Sequence, residues 1–401
     1  MRTPSLLALA VAFSFACAEA RGGATVSSTS ASEGDTTLVT ITAPESLPGL
    51  MVPLDSPRVV WTPEELGRPT GMAVGPDGRI TVSDRAHIYA WQPGSDSTES
   101  ISRAGAGPGE FRIVSSLLAQ PNGSVLVLDG SQRRIVRLDE RGTPDSTWTL
   151  AADPAQQNFL AEMDGELLIA TGRGLVHTGE PPDTLYLRLG SDTTGPALGS
   201  VPLYVWMELE NGTLAPRDRY PRRAHLAGSA TAGFAFSDGL QYDIRWWRPG
   251  KAPAWLHLSR SWTPPLQSVD REPPGSLLAT LRDSGNFVKQ MNEQQQGGER
   301  KYSIEALALM PGGALWVRPV DESYVYRLAY YVQLSELRPP TWLWEVYGAD
   351  GTLRAQVRLS SMFTPKAVHD CQLYGFLEDR DGVYSVAMVP LGGACGKLGG
   401  T

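Results

Sequence analysis

Imidazole side chains bind metal ions and transfer protons near neutral pH, so the histidines are the first residues to consider. The sequence has five, at His87, His177, His225, His257 and His369. No two have the spacing of a zinc-binding His-x-x-x-His pair. A metal site built from them would need a fold that brings one residue from each of several repeats to a common point. A structural or surface role for each histidine is the favoured interpretation, and a composite metal site is the alternative.

Three aspartates, Asp84, Asp129 and Asp238, each end a predicted strand. A calcium site needs several carboxylate and amide oxygens close together, whereas a single aspartate beside a turn accepts hydrogen bonds from the backbone. Turn capping is therefore the favoured role for all three. No catalytic, cofactor-binding or metal-binding residue is predicted. Calcium is conceivable as a cofactor but has no identifiable set of ligands.

The glycine-rich string GAGPGEF at residues 105–111 has the composition of a phosphate-binding loop but not its order. Pro108 lies inside it and no Gly-Lys-Ser or Gly-Lys-Thr follows, so it is not a P-loop. It leads into a strand rather than a helix, which favours a close chain crossing where Glu110 accepts backbone hydrogen bonds. The sequence has no Gly-x-Ser-x-Gly motif, which excludes the nucleophile elbow of an α/β-hydrolase.

The overall charge argues against nucleic acid as a partner. Lysine and arginine number 35 against 43 aspartate and glutamate residues, a net charge of −8, whereas a phosphate backbone requires a basic surface. The three cysteines and five histidines are too few for zinc ribbons or iron–sulfur clusters. No apolar stretch approaches the about 20 residues of a transmembrane helix, so none is expected.

Residues 1–18 have the pattern of a secretory signal peptide, in which a charged start precedes a short apolar stretch and then small residues. Two outcomes of export stay open: ordinary cleavage of the signal, or cleavage in front of Cys17 followed by lipidation of that cysteine. The Gly/Ser/Thr-rich segment 19–45 is predicted to be a flexible tether. The protein is expected in the periplasm or cell envelope, either free or held by a lipid anchor.

Two cysteines follow the signal segment, Cys371 and Cys395. Disulfides persist in exported proteins, and free thiol pairs are uncommon there. A Cys371–Cys395 disulfide is therefore favoured over two buried thiols. It would tie the start of the last repeat to the end of the chain.

The remaining sequence consists of strands separated by tight turns. Residues 72–84 contain two alternating apolar stretches around a Pro-Asp-Gly turn, and residues 117–129 repeat the pattern at a constant shift of 45 residues. Each hairpin is followed by two more strands, which gives the four strands of a β-propeller blade. Weaker copies at 162–170, 233–250, 307–317 and 371–389 bring the predicted number of blades to six. Residues 275–298 are predicted to add a short helical insertion.

The strings GAGPGEF (105–111), VLVLDGSQRRIVRLDERG (125–142) and GGALWV (312–317) resemble six-bladed β-propellers of the NHL-repeat type. The resemblance is to exported bacterial proteins of largely uncharacterised function. It implies that Asp129, Arg134 and Ile135 stabilise the second blade, while the first repeat departs from the family with a shortened turn at 85–87. The implied fold is all-β: a six-bladed propeller of four-stranded blades at 46–392, followed by a C-terminal tail at 393–401. A strand near 58–61 is expected to join the last blade and close the ring.

Two classes of function follow from this architecture. Nearly every recognisable motif shapes the fold, which favours a non-catalytic extracytoplasmic binding or scaffold module, expected as a monomer with an unidentified protein, peptide or glycan partner. The long connections 193–223 and 270–300 are predicted to form its binding surface. The alternative is a metal-dependent hydrolase or lyase, similar to propeller lactonases, with its site in the central channel.

Overall fold

The structure is a computed structural model of the 401-residue chain. It describes residues 27–33, 36–42, 50–63, 66–150, 160–163, 166–171, 184–189, 199–202, 206–208, 214–216, 225–237, 242–260, 304–319 and 341–399. Almost all regular structure in these residues is antiparallel β-sheet, and the sheets are numbered I to VI in chain order.

Four strands precede the sheets: β1 (Ser27–Glu33), β2 (Thr36–Thr42), β3 (Met51–Val52) and β4 (Arg58–Trp61). Sheet I contains β5 (Gly71–Val74), β6 (Ile80–Asp84), β7 (His87–Trp91) and β8 (Thr98–Ser100). A short parallel pair follows, β9 (Arg103–Ala104) and β10 (Glu110–Phe111). Sheet II contains β11 (Val114–Ala119), β12 (Val125–Asp129), β13 (Arg134–Leu138) and β14 (Pro144–Thr149). Sheet III contains β15 (Leu160–Met163), β16 (Glu166–Thr171), β17 (Thr184–Leu189) and β18 (Gly199–Pro202), and the hairpin of β19 (Trp206–Glu208) and β20 (Leu214–Pro216) follows.

The second half of the chain has the same organisation. Sheet IV contains β21 (His225–Ser229), β22 (Gly233–Ser237), β23 (Asp243–Trp247) and β24 (Trp255–Arg260). Sheet V contains β25 (Ile304–Leu309), β26 (Leu315–Pro319), β27 (Thr341–Tyr347) and β28 (Leu353–Ser360). Sheet VI contains β29 (Phe363–His369), β30 (Gln372–Glu378) and β31 (Tyr384–Pro390) together with β4. A 3₁₀ turn (Gly392–Ala394) and the single-turn helix α1 (Cys395–Leu398) end the described chain.

The first strands of the sheets contact one another in a closed ring, in the order β5, β11, β15, β21, β25, β29 and back to β5. The later strands of each sheet follow outward, so the fold is a β-propeller around a central channel. Side chains are described through all the strands of sheets I, II, V and VI and through β21 to β24 of sheet IV, but only in parts of β15 and β16 in sheet III. Sheets I, II, IV, V and VI therefore count as five complete blades, one fewer than the predicted six. Sheet III is left out of this count because most of its side chains lie outside the description.

Local turn chemistry explains the hairpins that the sequence predicts. Gly78 and Gly123 lie in the turns after β5 and β11 with φ of 81° and 85°, a conformation that costs glycine little. The backbone N–H of Gly78 donates to the carbonyl of Gly75 at 3.0 Å, and that of Gly123 donates to Gln120 at 3.0 Å. The predicted last hairpin is different: it joins the second and third strands of sheet VI, and the inner strand is β29, upstream of it.

The predicted flexible tether is wrong for residues 27–42. Strands β1 and β2 form a hairpin, and β2 pairs in parallel with the outer strand β24, so that sheet IV has six strands. Strand β3 pairs in parallel with β28, and β4 pairs antiparallel with β31, as the predicted ring closure requires. The N-terminal segment thus adds strands to the outer edges of three consecutive sheets. We call residues 27–61 the belt.

The apolar core is divided into layers between neighbouring sheets. Trp246 and Tyr347 lie in the layer between sheets IV and V, and Trp316 and Trp344 lie in the layer between V and VI. Burial of each such side chain contributes about 1.5–3 kcal/mol. Each of these layers joins two sheets, so the neighbouring blades stabilise each other.

A separate tail is predicted at 393–401, but its described residues up to 398 pack against this core. Cys395 and Leu398 are buried, and Trp316 Nε1 donates to the carbonyl of Leu398 at 3.2 Å. Cys371, in the turn between β29 and β30, is joined to Cys395 by a disulfide with a Cα–Cα distance of 5.1 Å. The predicted helical insertion at 275–298 lies outside the described residues, and α1 is the one α-helix among the described ones.

Candidate functional site

A cavity of about 170 Å³ lies in the central channel, at the end where the inner strands turn into the second strands. Five inner strands contribute to it through the ends of β5, β11, β21, β25 and β29. Ligand pockets for drug-sized molecules occupy roughly 300–1,000 Å³. This cavity therefore has room for a small molecule or one chemical group of a larger one.

Most of the cavity wall is apolar or small, with Met72, Leu117, Leu118 and Val368 among its larger side chains. Two ionisable side chains are present, Lys366 and His369, both on β29, and no aspartate or glutamate is among the described residues that line it. An apolar wall with one strong cation is suited to binding an organic ligand that carries a polar end.

Lys366 is the most unusual group of this wall. Its side chain is exposed to water inside the channel, but the protein around it desolvates the ammonium and lowers the pKa of Lys366. Its Nζ atom lies 5.8 Å from the ring centroid of Phe376, within the range of a weak cation–π interaction. The described residues place no carboxylate within ion-pairing distance of this ammonium.

Gln120 supplies a second donor to the same cavity. Its Nε2 atom is buried and has no hydrogen-bond acceptor among the described residues. Thr231, which also lines the cavity, is already engaged because its hydroxyl donates to the carbonyl of Pro311 at 2.9 Å. Lys366 and Gln120 are thus two side chains of the cavity wall whose donors have no hydrogen-bond acceptor among the described residues.

His369 has a packing role at the rim of this cavity. Its ring lies against Gly78, where an added Cβ would come 2.9 Å from Nε2, so the histidine joins sheets VI and I. Its Nε2 atom also lies 3.3 Å from a carboxylate oxygen of Asp370. These contacts engage His369, and Lys366 is the other ionisable side chain of β29 that lines the cavity.

The other histidines that the structure describes do not meet in the channel. His87 begins β7, His225 begins β21, and His257 lies on the outer strand β24 with Nε2 2.5 Å from Oδ1 of Asp243. His177 lies outside the described residues. In the described part of the chain, no three His, Cys, Asp or Glu side chains are grouped to hold a metal ion.

The aspartates at strand ends accept backbone hydrogen bonds. Asp84 Oδ2 accepts from the N–H of Gly67 at 2.6 Å. Asp129 is completely buried and accepts from the N–H groups of Arg112 at 3.0 Å and Ile113 at 3.3 Å. Asp84 and Asp129 thus each fix the chain just before it enters an inner strand. Asp238 lies outside the described residues.

The carboxylate of Glu110 is bound by backbone N–H groups of its own loop, residues 105–111. Glu110 Oε2 accepts from the N–H groups of Ala106 at 3.0 Å and Gly107 at 2.9 Å, and Arg103 Nε donates to Oε1 at 2.8 Å. The bond from Gly107 contributes most to lowering the pKa of Glu110, followed by Arg103. Arg134, which the family resemblance singled out, donates to the carbonyl of Glu110. The loop is therefore a structural crossing of the chain, and its carboxylate is already bound by the loop itself.

A buried polar cluster lies between sheets IV and V, on the third and fourth strands and away from the inner ring. Arg260 is ion-paired with Glu345 Oε2, which also accepts from the hydroxyls of Tyr242 at 2.8 Å and Tyr347 at 3.0 Å. Gln356 Nε2 donates to the other carboxylate oxygen at 3.3 Å. The Arg260 and Glu345 side chains are 8% and 3% exposed, so this cluster joins two blades and offers no access to a ligand.

The net pKa shifts of the ionisable groups in this cluster have opposite signs, although burial raises the pKa of the carboxylate and of both phenols. For Glu345, burial raises the pKa, but the charge of Arg260 and the hydrogen bonds from Arg260, Tyr242 and Tyr347 outweigh it, and the net pKa is lowered. For Tyr242 and Tyr347, burial and the nearby carboxylate both raise the pKa. The carboxylate is therefore ionised and both phenols are neutral near neutral pH, which is the arrangement of a structural ion pair.

Several predicted features lie outside the described residues: Cys17 and the signal segment, and most of the connections 193–223 and 270–300. No helix among the residues that the structure describes is long and apolar enough to span a membrane.

Comparison with known proteins gives similar folds only. No protein-family model and no curated protein matches the chain. Among solved structures, a streptogramin B lyase is 9% identical over 83% of this chain and 96% of its own, with a TM-score of 0.38. Virginiamycin B lyase from Staphylococcus aureus is 9% identical over 82% and 87%, with a TM-score of 0.34. Regucalcin from Agrobacterium tumefaciens, a calcium-binding protein, is 11% identical over 85% and 95%, with a TM-score of 0.39. Likeness at this level assigns no activity, metal or ligand to the chain.

Sequence reasoning missed both Lys366 and Gln120. The sequence signal was the lysine in the middle of the strand FTPKAVH. Charged residues are rare inside proteins unless they are paired, so this position was a candidate for a functional group. Gln120 gave less signal, since a polar residue before Pro-Asn-Gly is typical of a turn.

Proposed function

We propose that this protein is an exported, non-catalytic binding module, a six-bladed propeller that holds a small ligand in the cavity of its central channel. The observation that supports this proposal best is the cavity of about 170 Å³ to which five inner strands contribute. A site assembled from that many elements of a closed ring is rigid, and rigidity favours binding because little ordering accompanies it.

The blade count in the proposal takes sheet III as the sixth blade. Its first strand, β15, contacts both β11 and β21 in the inner ring. Its four strands pair in the order β15-β16-β17-β18, as in the other sheets.

Binding is preferred to catalysis because of the groups in the cavity. The alternative, a metal-dependent hydrolase or lyase, needs oxygen or imidazole ligands around the channel. The described wall has one imidazole and one ammonium, and an ammonium repels a divalent cation. Metal analysis of the purified full-length chain tests this choice: metal well below one equivalent is expected, and stoichiometric calcium or zinc would favour the enzyme.

The cavity itself is tested by filling it. Ala230 lines the cavity, so Ala230→Phe should abolish binding of small molecules detected by ligand-observed NMR with a mixed library of neutral, cationic and anionic compounds. Ser97→Phe, in an exposed outer turn of sheet I, is the matched control. Equal binding by both variants, each with the circular dichroism of the wild type, would show that the ligand site lies elsewhere.

Export and lipidation are proposed from residues 1–18 alone. Mass spectrometry of the mature protein from an expressing bacterium should show loss of the signal. Cys17→Ser then separates the two outcomes, because only the lipidated form loses its membrane association with this change.

A further inference from the structure

The channel cavity has a cation on its wall and no carboxylate among the described residues that line it. Lys366 brings an ammonium with three donors and no acceptor, and no carboxylate among the described residues pairs with it. Gln120 Nε2 is a buried donor without an acceptor. Water in the channel solvates the exposed Lys366, whereas a buried amide nitrogen is nearly always paired. A ligand that brings an acceptor would pair with both groups.

A charged acceptor fits these donors better than a neutral one. The ammonium of Lys366 lies in surroundings that disfavour its charge, and an anion beside it would offset that effect. Charge-assisted hydrogen bonds are also about twice as strong as neutral ones. The ligand group is therefore an anion.

The number of donors and the apolar wall distinguish between kinds of anion. A phosphate dianion has three acceptor oxygens and is typically bound by arginines or several backbone N–H groups. The cavity offers a single full positive charge and one amide donor, beside the apolar side chains of Met72, Leu117 and Val368. A carboxylate has two oxygens for these two donors, and a short alkyl chain would contact the apolar wall.

We propose that the channel cavity binds the carboxylate of a short aliphatic acid, with Lys366 as its charge partner and Gln120 as its second donor. This inference rests on the proposed function, because it names the class of ligand for the same cavity. The volume of about 170 Å³ has room for a carboxylate with a chain of a few carbons.

The experiment uses butyrate as the probe and the full chain as the protein. Binding is measured by saturation-transfer NMR and by protection of Lys366 from acetylation with acetic anhydride, quantified by mass spectrometry. Lys251 is the internal control, since it lies in an exposed turn of sheet IV. Butyrate should slow acetylation of Lys366 without affecting Lys251, and butyramide and inorganic phosphate at equal ionic strength should not.

Variants assign the two donors. Lys366→Met, which keeps an unbranched side chain one atom shorter and without its charge, should weaken butyrate binding at least about tenfold. Lys366→Arg should retain part of the affinity, Gln120→Leu should weaken binding several-fold, and Lys251→Met should leave it unchanged. Circular dichroism of each variant checks that it folds.

Specific outcomes overturn the inference. Equal binding of butyrate and butyramide, or wild-type affinity in Lys366→Met, would remove the role of the charge. Protection of Lys366 by phosphate as strong as that by butyrate would replace the carboxylate by a different anion. If neutral library compounds bind and Ala230→Phe abolishes their binding, the proposed function stands and the carboxylate inference alone fails.

Discussion

The ion pair between Arg260 and Glu345 provides the sharpest test of how the blades are held together. Both side chains are nearly inaccessible to water, at 8% and 3% exposure, and the carboxylate accepts further hydrogen bonds from two tyrosines and Gln356. Glu345→Gln keeps the size of the side chain but removes its charge. It leaves the guanidinium of Arg260 buried without a counter-charge.

The expected magnitude follows from this geometry. Two charges in contact attract by roughly 4 kcal/mol at an effective dielectric constant of about 20. Removing one partner of a buried pair typically costs about 3–5 kcal/mol, because the other charge stays uncompensated. Glu345→Gln should therefore lower the free energy of unfolding by about 3–5 kcal/mol. Replacing both residues, as in Arg260→Met with Glu345→Gln, should cost less than the sum of the two single changes.

Equilibrium unfolding in guanidinium chloride, followed by tryptophan fluorescence, measures all four proteins of this cycle. The pH dependence gives an independent check. The pKa of Glu345 is lower in the folded state than in the unfolded chain, so its contribution is complete above the unfolded value of about 4.3 and is lost as pH falls through the folded value. Glu345→Gln should lack this part of the acid sensitivity. A loss below about 1 kcal/mol at neutral pH would refute the reasoning, since that is the value of an exposed pair.

Three further predictions concern the disulfide, a glycine and the belt. Cys371→Ser with Cys395→Ser should lower the unfolding free energy by about 3–4 kcal/mol, given a sequence separation of 24 residues. Reductant should destabilise the wild type by the same amount, and an unchanged denaturation midpoint in the double variant would contradict this prediction. Gly233→Ala should destabilise more than Gly250→Ala, because both have positive φ but an added Cβ overlaps the carbonyl of Trp247 only at Gly233; equal thermal midpoints would contradict this. A chain that begins at residue 50 should aggregate in light scattering, since it uncovers the edge of β24, whereas one that begins at residue 27 should stay monodisperse.

The parts of the fold that depend on local chemistry could be predicted from the sequence. The Pro-Asp-Gly and Pro-Asn-Gly turns fix two hairpins by themselves, and the strand at 58–61 was expected because an open ring leaves sheet edges unpaired. The belt was missed because small polar residues in 27–33 are typical of a linker. Its second strand, TTLVTIT, is nevertheless rich in β-branched residues, and Val39 is buried against sheet IV. Which residues pair between neighbouring blades, as Arg260 and Glu345 do, depends on strand registers that no local sequence pattern contains.

Lys366 lies on β29, a strand that is held by a disulfide at its end and belongs to the sheet that closes the ring. Strand β29 ends in the turn that carries Cys371, whose disulfide leads to α1, and α1 is held in turn by the hydrogen bond from Trp316 to Leu398. The same sheet contains β4 at its outer edge, so the strand that closes the ring belongs to the sheet of Lys366. A binding group on a strand fixed by ring closure, disulfide and core loses little freedom when a ligand arrives. Opening the disulfide should therefore weaken butyrate binding as well as stability, even though neither cysteine lines the cavity.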